Sequence, residues 1–60
     1  MEKKNYEFRA FNGKGKEIEL SQSLMTFYGT TQEEAVGIKL GLQVGLLAKY
    51  KNVRVSFREI

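Results

Sequence analysis

The chain has 60 residues, a formal net charge of +3, and no cysteine, histidine or proline. A chain of this length forms a single domain (1–60) that buries only about 60% of the surface its unfolded form exposes, so its stability is marginal without disulfides, a metal or association. The missing Cys and His exclude disulfides, thiolate metal sites, the commonest general base and the commonest zinc ligand, so no metal or other cofactor is expected; 28% charged and 42% hydrophobic residues fit a folded chain rather than a disordered one.

The opening "MEKKNYEFRAF" lacks the apolar core of about 7–15 residues that marks a signal peptide. The longest apolar region is broken by Lys39 and Gln43, and it falls short of the roughly 20 residues a bilayer helix needs. The expectation is a soluble, cytoplasmic protein without membrane association.

"NYEFRAF" (Asn5–Phe11) alternates, with Tyr6, Phe8 and Ala10 on one side and Glu7, Arg9 and Phe11 on the other, which is the pattern of a half-buried strand. "NGKGK" (Asn12–Lys16) follows, and its Asn-Gly is a strong short hairpin signal. "KEIELS" alternates again with Ile18 and Leu20 inward, so the first two strands form a hairpin. In "QSLMTFYG" (Gln22–Gly29) the inward phase passes from Leu24 to Met25 and Phe27. A bulge or bend near Ser21–Ser23 would reconcile the phases, with the second strand running on past it, or the segment is a loop pinned by Phe27 and Tyr28.

"TTQEE" starts a helix, since Thr30 with Glu33, or Thr31 with Glu34, makes a capping box. The helix should run over about 31–50, with Lys49 and Lys51 suiting its negative end and Asn52 placed as a left-handed cap. "VRVSFREI" is a third strand with Val53, Val55 and Phe57 inward. The order β-β-α-β, with room for a right-handed crossover, gives an α+β domain. Its sheet is three-stranded and antiparallel, in order 2-1-3, with one helix on one face. Tyr6, Phe8, Ala10, Ile18, Leu20, Val53, Val55 and Phe57 lie under that helix.

"AVGIKLGLQVGLLAKY" (Ala35–Tyr50) is unusual for a helix. At about 100° per residue, Gly37, Gly41 and Gly45 fall with Ala48 on one narrow stripe. Val36, Leu40, Val44 and Leu47 flank it on one side; Ala35, Ile38, Leu42 and Leu46 flank it on the other. The apolar arc is roughly 280° wide, where about 100° suffices for a surface helix. In one reading the glycine stripe faces the sheet and lets the backbone sit close to Phe8, Val55 and Phe57. In another, one flank (Val36, Leu40, Val44, Leu47 or Ile38, Leu42, Leu46) stays uncovered and meets a second chain, most simply another copy. A variant places Gly37, Gly41 and Gly45 in a helix–helix contact, where small residues let backbones approach.

The hairpin turn and the helix C-terminus fall at one end of the domain. Lys14 and Lys16 then stand near Lys49 and Lys51, a possible phosphate-binding pole for DNA or RNA. Solvated turn lysines, and lysines answering the helix dipole, explain the same residues without a ligand. On the open sheet face, Arg9, Arg54 and Arg58 stand against Glu7, Glu17, Glu19 and Glu59, which suggests cross-strand ion pairs. Catalytic chemistry finds little support. Glu33 and Glu34 diverge by about 100°, and "NGKGK" lacks both the spacing of a phosphate loop and a following helix. The sequence therefore points to a non-enzymatic protein-interaction module that self-associates through its helix, with nucleic-acid binding as the alternative.

Overall fold

A computed structural model describes residues 2–60. The elements are β1 (Lys4–Asn12), β2 (Glu17–Ile18), α1 (Gln22–Met25), β3 (Thr26–Thr30), α2 (Gln32–Leu47) and β4 (Val53–Glu59). β1 is antiparallel to β2, β3 and β4. β4 takes one edge of β1 from Tyr6 to Asn12. A strand has only two edges, so β2 at Ala10–Phe11 and β3 at Lys4–Glu7 share the other. They are two halves of one broken strand. The expected order 2-1-3, with the first strand central, is the observed arrangement.

The break is the segment that was ambiguous in sequence. The chain bends here and the strand runs on past the bend, so the segment is not a loop: Gln22–Met25 makes one helical turn, and Thr26–Thr30 then rejoins the same edge. The turn absorbs the phase change between Leu20 and Phe27. A second irregularity follows, because Lys4 pairs with Thr30 and Tyr6 with Phe27, which leaves one extra residue on β3. Gly29 takes a φ of +63° there, and its N–H donates to Asn5 Oδ1 at 3.2 Å.

The hairpin forms where the sequence places it, by a different device. Asn12 Oδ1 accepts from the backbone N–H of Lys14 at 2.9 Å and of Lys16 at 3.0 Å. The left-handed residue is Gly15 (φ +83°), not the Asn-Gly pair. This is a wider turn closed by the Asn12 side chain.

Thr31 caps α2. Its Oγ1 accepts from the Glu34 N–H at 3.2 Å, while Glu34 Oε1 accepts from the Thr31 N–H at 2.9 Å. Of the two possible capping boxes, the chain uses the later. The helix ends at Leu47 rather than near Tyr50, with Lys49 and Tyr50 both donating to the Leu46 carbonyl at 2.9 Å. Asn52 is not a left-handed cap, since only Gly15 and Gly29 take positive φ among the described residues.

The core lies between α2 and the inner face of the sheet. Tyr6, Phe8, Ala10, Ile18, Ala35 and Val55 are buried, with Leu20, Phe27, Ile38, Leu42, Leu46, Val53 and Phe57 packed around them. Phe8 is fully buried, edge-on to Phe27 at 5.3 Å and tilted against Phe57 at 5.4 Å. α2 packs on β4 and β1 and so lies over that pair of strands.

Candidate interaction surface

The structure separates the helix faces that the sequence left equivalent. Ala35 is buried, and Ile38, Leu42 and Leu46 pack on the core. These last three are half-buried and pack against the monomer's own core. The opposite flank is open: Val36 is 43% exposed, Leu40 55%, Val44 71% and Leu47 46%. Lys39, half-buried, stands at the border of this flank, three residues after Val36.

The glycine stripe does not face the sheet. A Cβ built at Gly37, Gly41 or Gly45 would meet nothing within 4 Å. The expected close packing of helix backbone on Phe8, Val55 and Phe57 is therefore absent. The physical reason is volume: the sheet beneath α2 is filled by aromatic and branched side chains, and the Ile38–Leu42–Leu46 ridge meets them better than a bare backbone would.

The open flank borders a free sheet edge. Among the described residues β4 pairs with β1 alone and carries no partner on its outer side. Arg54 and Ser56 share the outer face of the sheet with Phe11 and Arg9, their cross-strand partners. Yet Arg54 and Ser56 line one groove of about 870 Å³ together with Gln43 and Leu47 of α2, on the other face. Such a groove runs round the end and edge of β4. Leu47 and Gln43 thus look out over that edge.

On the outer sheet face Arg9 and Arg58 pair with Glu7 and Glu17, as the cross-strand expectation has it, whereas Arg54 pairs with no carboxylate among the described residues and Glu59, opposite Tyr6, lies on the other face with Lys4. Glu7 accepts from Arg58 Nε at 3.0 Å and from Arg9 Nε at 3.4 Å, and Arg9 Nη1 reaches Glu17 at 3.0 Å. The Arg58 hydrogen bond, helped by Arg9, holds the Glu7 carboxyl below the usual carboxylate range. The Thr31 backbone and hydroxyl bonds do the same for Glu34. Lys4 is held charged to higher pH by its hydrogen bond to Glu59, at 3.1 Å.

The hairpin turn meets the loop after α2. Asn12 pairs with Val53, and a Cβ on Gly13 would come within 3.0 Å of Asn52 Cβ. Lys14 and Lys16 on one loop, and Lys49 and Lys51 on the other, therefore share one pole, all exposed. Arg54 joins them, a member that sequence reasoning had assigned only to the sheet face. These five side chains make no ion pair among the described residues, whereas Lys4, Arg9 and Arg58 do. Among the described residues no group of three or more His, Cys, Asp or Glu could hold a metal, and no helix is long and apolar enough to cross a membrane.

Comparison of the chain with protein-family models, curated proteins and solved structures finds no match.

Proposed function

We propose that this protein is a small non-enzymatic interaction module that self-associates through the open flank of α2 and acts by binding or occluding a partner protein. One observation carries the reading: Val36, Leu40, Val44 and Leu47 form an exposed aliphatic strip on a helix whose other aliphatic flank packs on the core. Burying such a side chain is worth about 1.5–3 kcal/mol, so a strip of four is a strong drive to association and a liability without it. The whole surface agrees. The chain exposes 4551 Å², against about 4,000 Å² for a compact folded monomer of its mass.

Sedimentation equilibrium tests this directly. Wild-type chain should associate at micromolar concentration, and Leu40→Glu or Val44→Glu should sediment as a folded monomer with an unchanged circular dichroism spectrum. A wild-type monomer at the highest attainable concentration rejects the reading.

A second reading has its own observation, the five unpaired cations Lys14, Lys16, Lys49, Lys51 and Arg54 at one pole. They would contact nucleic-acid phosphates. Binding of a mixed-sequence oligonucleotide that weakens steeply with salt supports it, since each released counterion adds to the slope. Salt-insensitive self-association favours the first reading.

A further inference from the structure

We infer that the second copy docks along β4, strand against strand, so that two sheets fuse into one and the two α2 helices lie side by side across a two-fold axis. The inference rests on the self-association proposed above and specifies its geometry.

Three observations select this edge. First, the two edges of the sheet differ. One is broken by α1 and by the irregularity at Gly29, the kind of interruption that protects an edge from pairing. The other is β4, seven unbroken residues without proline. Second, α2 packs on β4 and β1, more on β4. Strands are spaced about 4.8 Å apart, so a helix over that pair stands within about 5 Å of a two-fold axis at the free edge. Its symmetry mate then lies at most about 10 Å away, within the reach of packed helices, about 8–10 Å. Third, Leu47 of the open flank lines, together with Gln43, the groove that passes round this edge. The paired helices would bring Val36, Leu40, Val44 and Leu47 of the two copies together. Such a two-fold contact needs a self-complementary patch, which an aliphatic strip supplies.

Charge fixes the register. The strands pair antiparallel, and residues facing each other must share a sheet face, so the axis passes through a residue. With Ser56 on the axis, Arg54 faces Arg58 of the second copy, and like charges opposed across strands repel. With Phe57 on it, Glu59 faces the apolar Val55. With Val55 on it, Ser56 faces Arg54, Phe57 faces Val53, Arg58 faces Asn52, and Glu59 comes level with Lys51. This register opposes no like charges and adds one attractive pair.

Cysteine trapping reads both edge and register, because the native chain has no cysteine. Arg54 and Ser56 are exposed and form no ion pair, so Arg54→Cys and Ser56→Cys leave the core intact. Facing residues place their Cα atoms about 4.5–5.5 Å apart, within disulfide range. Identical positions would lie about 8 Å apart, beyond it. Mixing the two variants under mild oxidation should give the mixed disulfide at least tenfold faster than either homodisulfide or the collision background set by Ser23→Cys. A dominant Ser56→Cys homodisulfide overturns the register. No trapping above background, while wild-type chain still sediments as a dimer, overturns docking at β4 and leaves self-association standing. A monomeric wild type removes both.

Discussion

Glu7 lies directly opposite Arg58 across the β1–β4 pair, and its Oε1 accepts from Arg58 Nε at 3.0 Å. With Arg9 on its other side, this carboxylate ties three charges together on a face that has no hydrophobic cover. Its lowered pKa has a consequence for acid stability. The contribution is fully present above the ordinary carboxylate value of 4.5 and is lost as pH falls through the lower folded value. The Glu34 cap behaves the same way. Urea midpoints should therefore hold level near neutrality and fall below pH 4.5, and Glu7→Gln should flatten part of that fall. An acid limb unchanged in Glu7→Gln would show that the pair is inert.

Thr31→Ala removes an N-cap whose hydroxyl accepts the Glu34 N–H. Losing such a cap costs about 1 kcal/mol, within a range of about 0.5–2. Thr30→Ala should leave the helix start untouched, because the box is built on Thr31. Equilibrium denaturation of the two variants side by side would read the difference.

Glycine to alanine at positions 37, 41 and 45 separates two modes of association. Beyond the helix's own backbone and the adjoining residues, nothing among the described residues comes within 4 Å of the added Cβ atoms. Helix propensity alone then predicts a gain of about 1 kcal/mol at each. If two copies meet along β4, the glycine stripe faces away from the contact, and the dimer tolerates all three changes. A weakened dimer in Gly41→Ala would instead place a partner's backbone on the stripe.

Phe8 is the fully buried large side chain and touches both Phe27 and Phe57. Phe8→Ala should cost about 3–5 kcal/mol. A domain of this size has roughly 3–9 kcal/mol in all. The variant should lose most of its cooperative thermal transition by differential scanning calorimetry.

Much of the fold was legible because it rests on short-range signals. The alternation in Asn5–Phe11 and Val53–Phe57 marks which side chains point inward, and a strand's period of two allows no other assignment. Thr-x-x-Glu marks the helix start through hydrogen bonds closed within four residues. The break at Gln22–Met25 was visible only as a clash of phases. A helical turn and a bulge absorb such a clash equally well, and the contacts of Phe27 with Phe8 and of Thr26 with Glu7 select between them. The early end of α2 was hidden too, because Ala48, Lys49 and Tyr50 are all compatible with helix.

The candidate surface divides along the same line. By itself the sequence determined that α2 carries more apolar surface than one sheet can cover, since periodicity counts side chains around the axis. It could not say which flank is left over, because Ile38, Leu42 and Leu46 match Val36, Leu40, Val44 and Leu47 in size and hydrophobicity. Only the tertiary structure decided that, by setting α2 over β1 and β4 so that one ridge sinks between Phe8, Val55 and their neighbours. The same placement turned the glycines toward solvent and left the other ridge exposed on the helix above the β1–β4 pair. Burial is a property of what lies opposite a side chain, and for a helix that is fixed by residues remote in sequence.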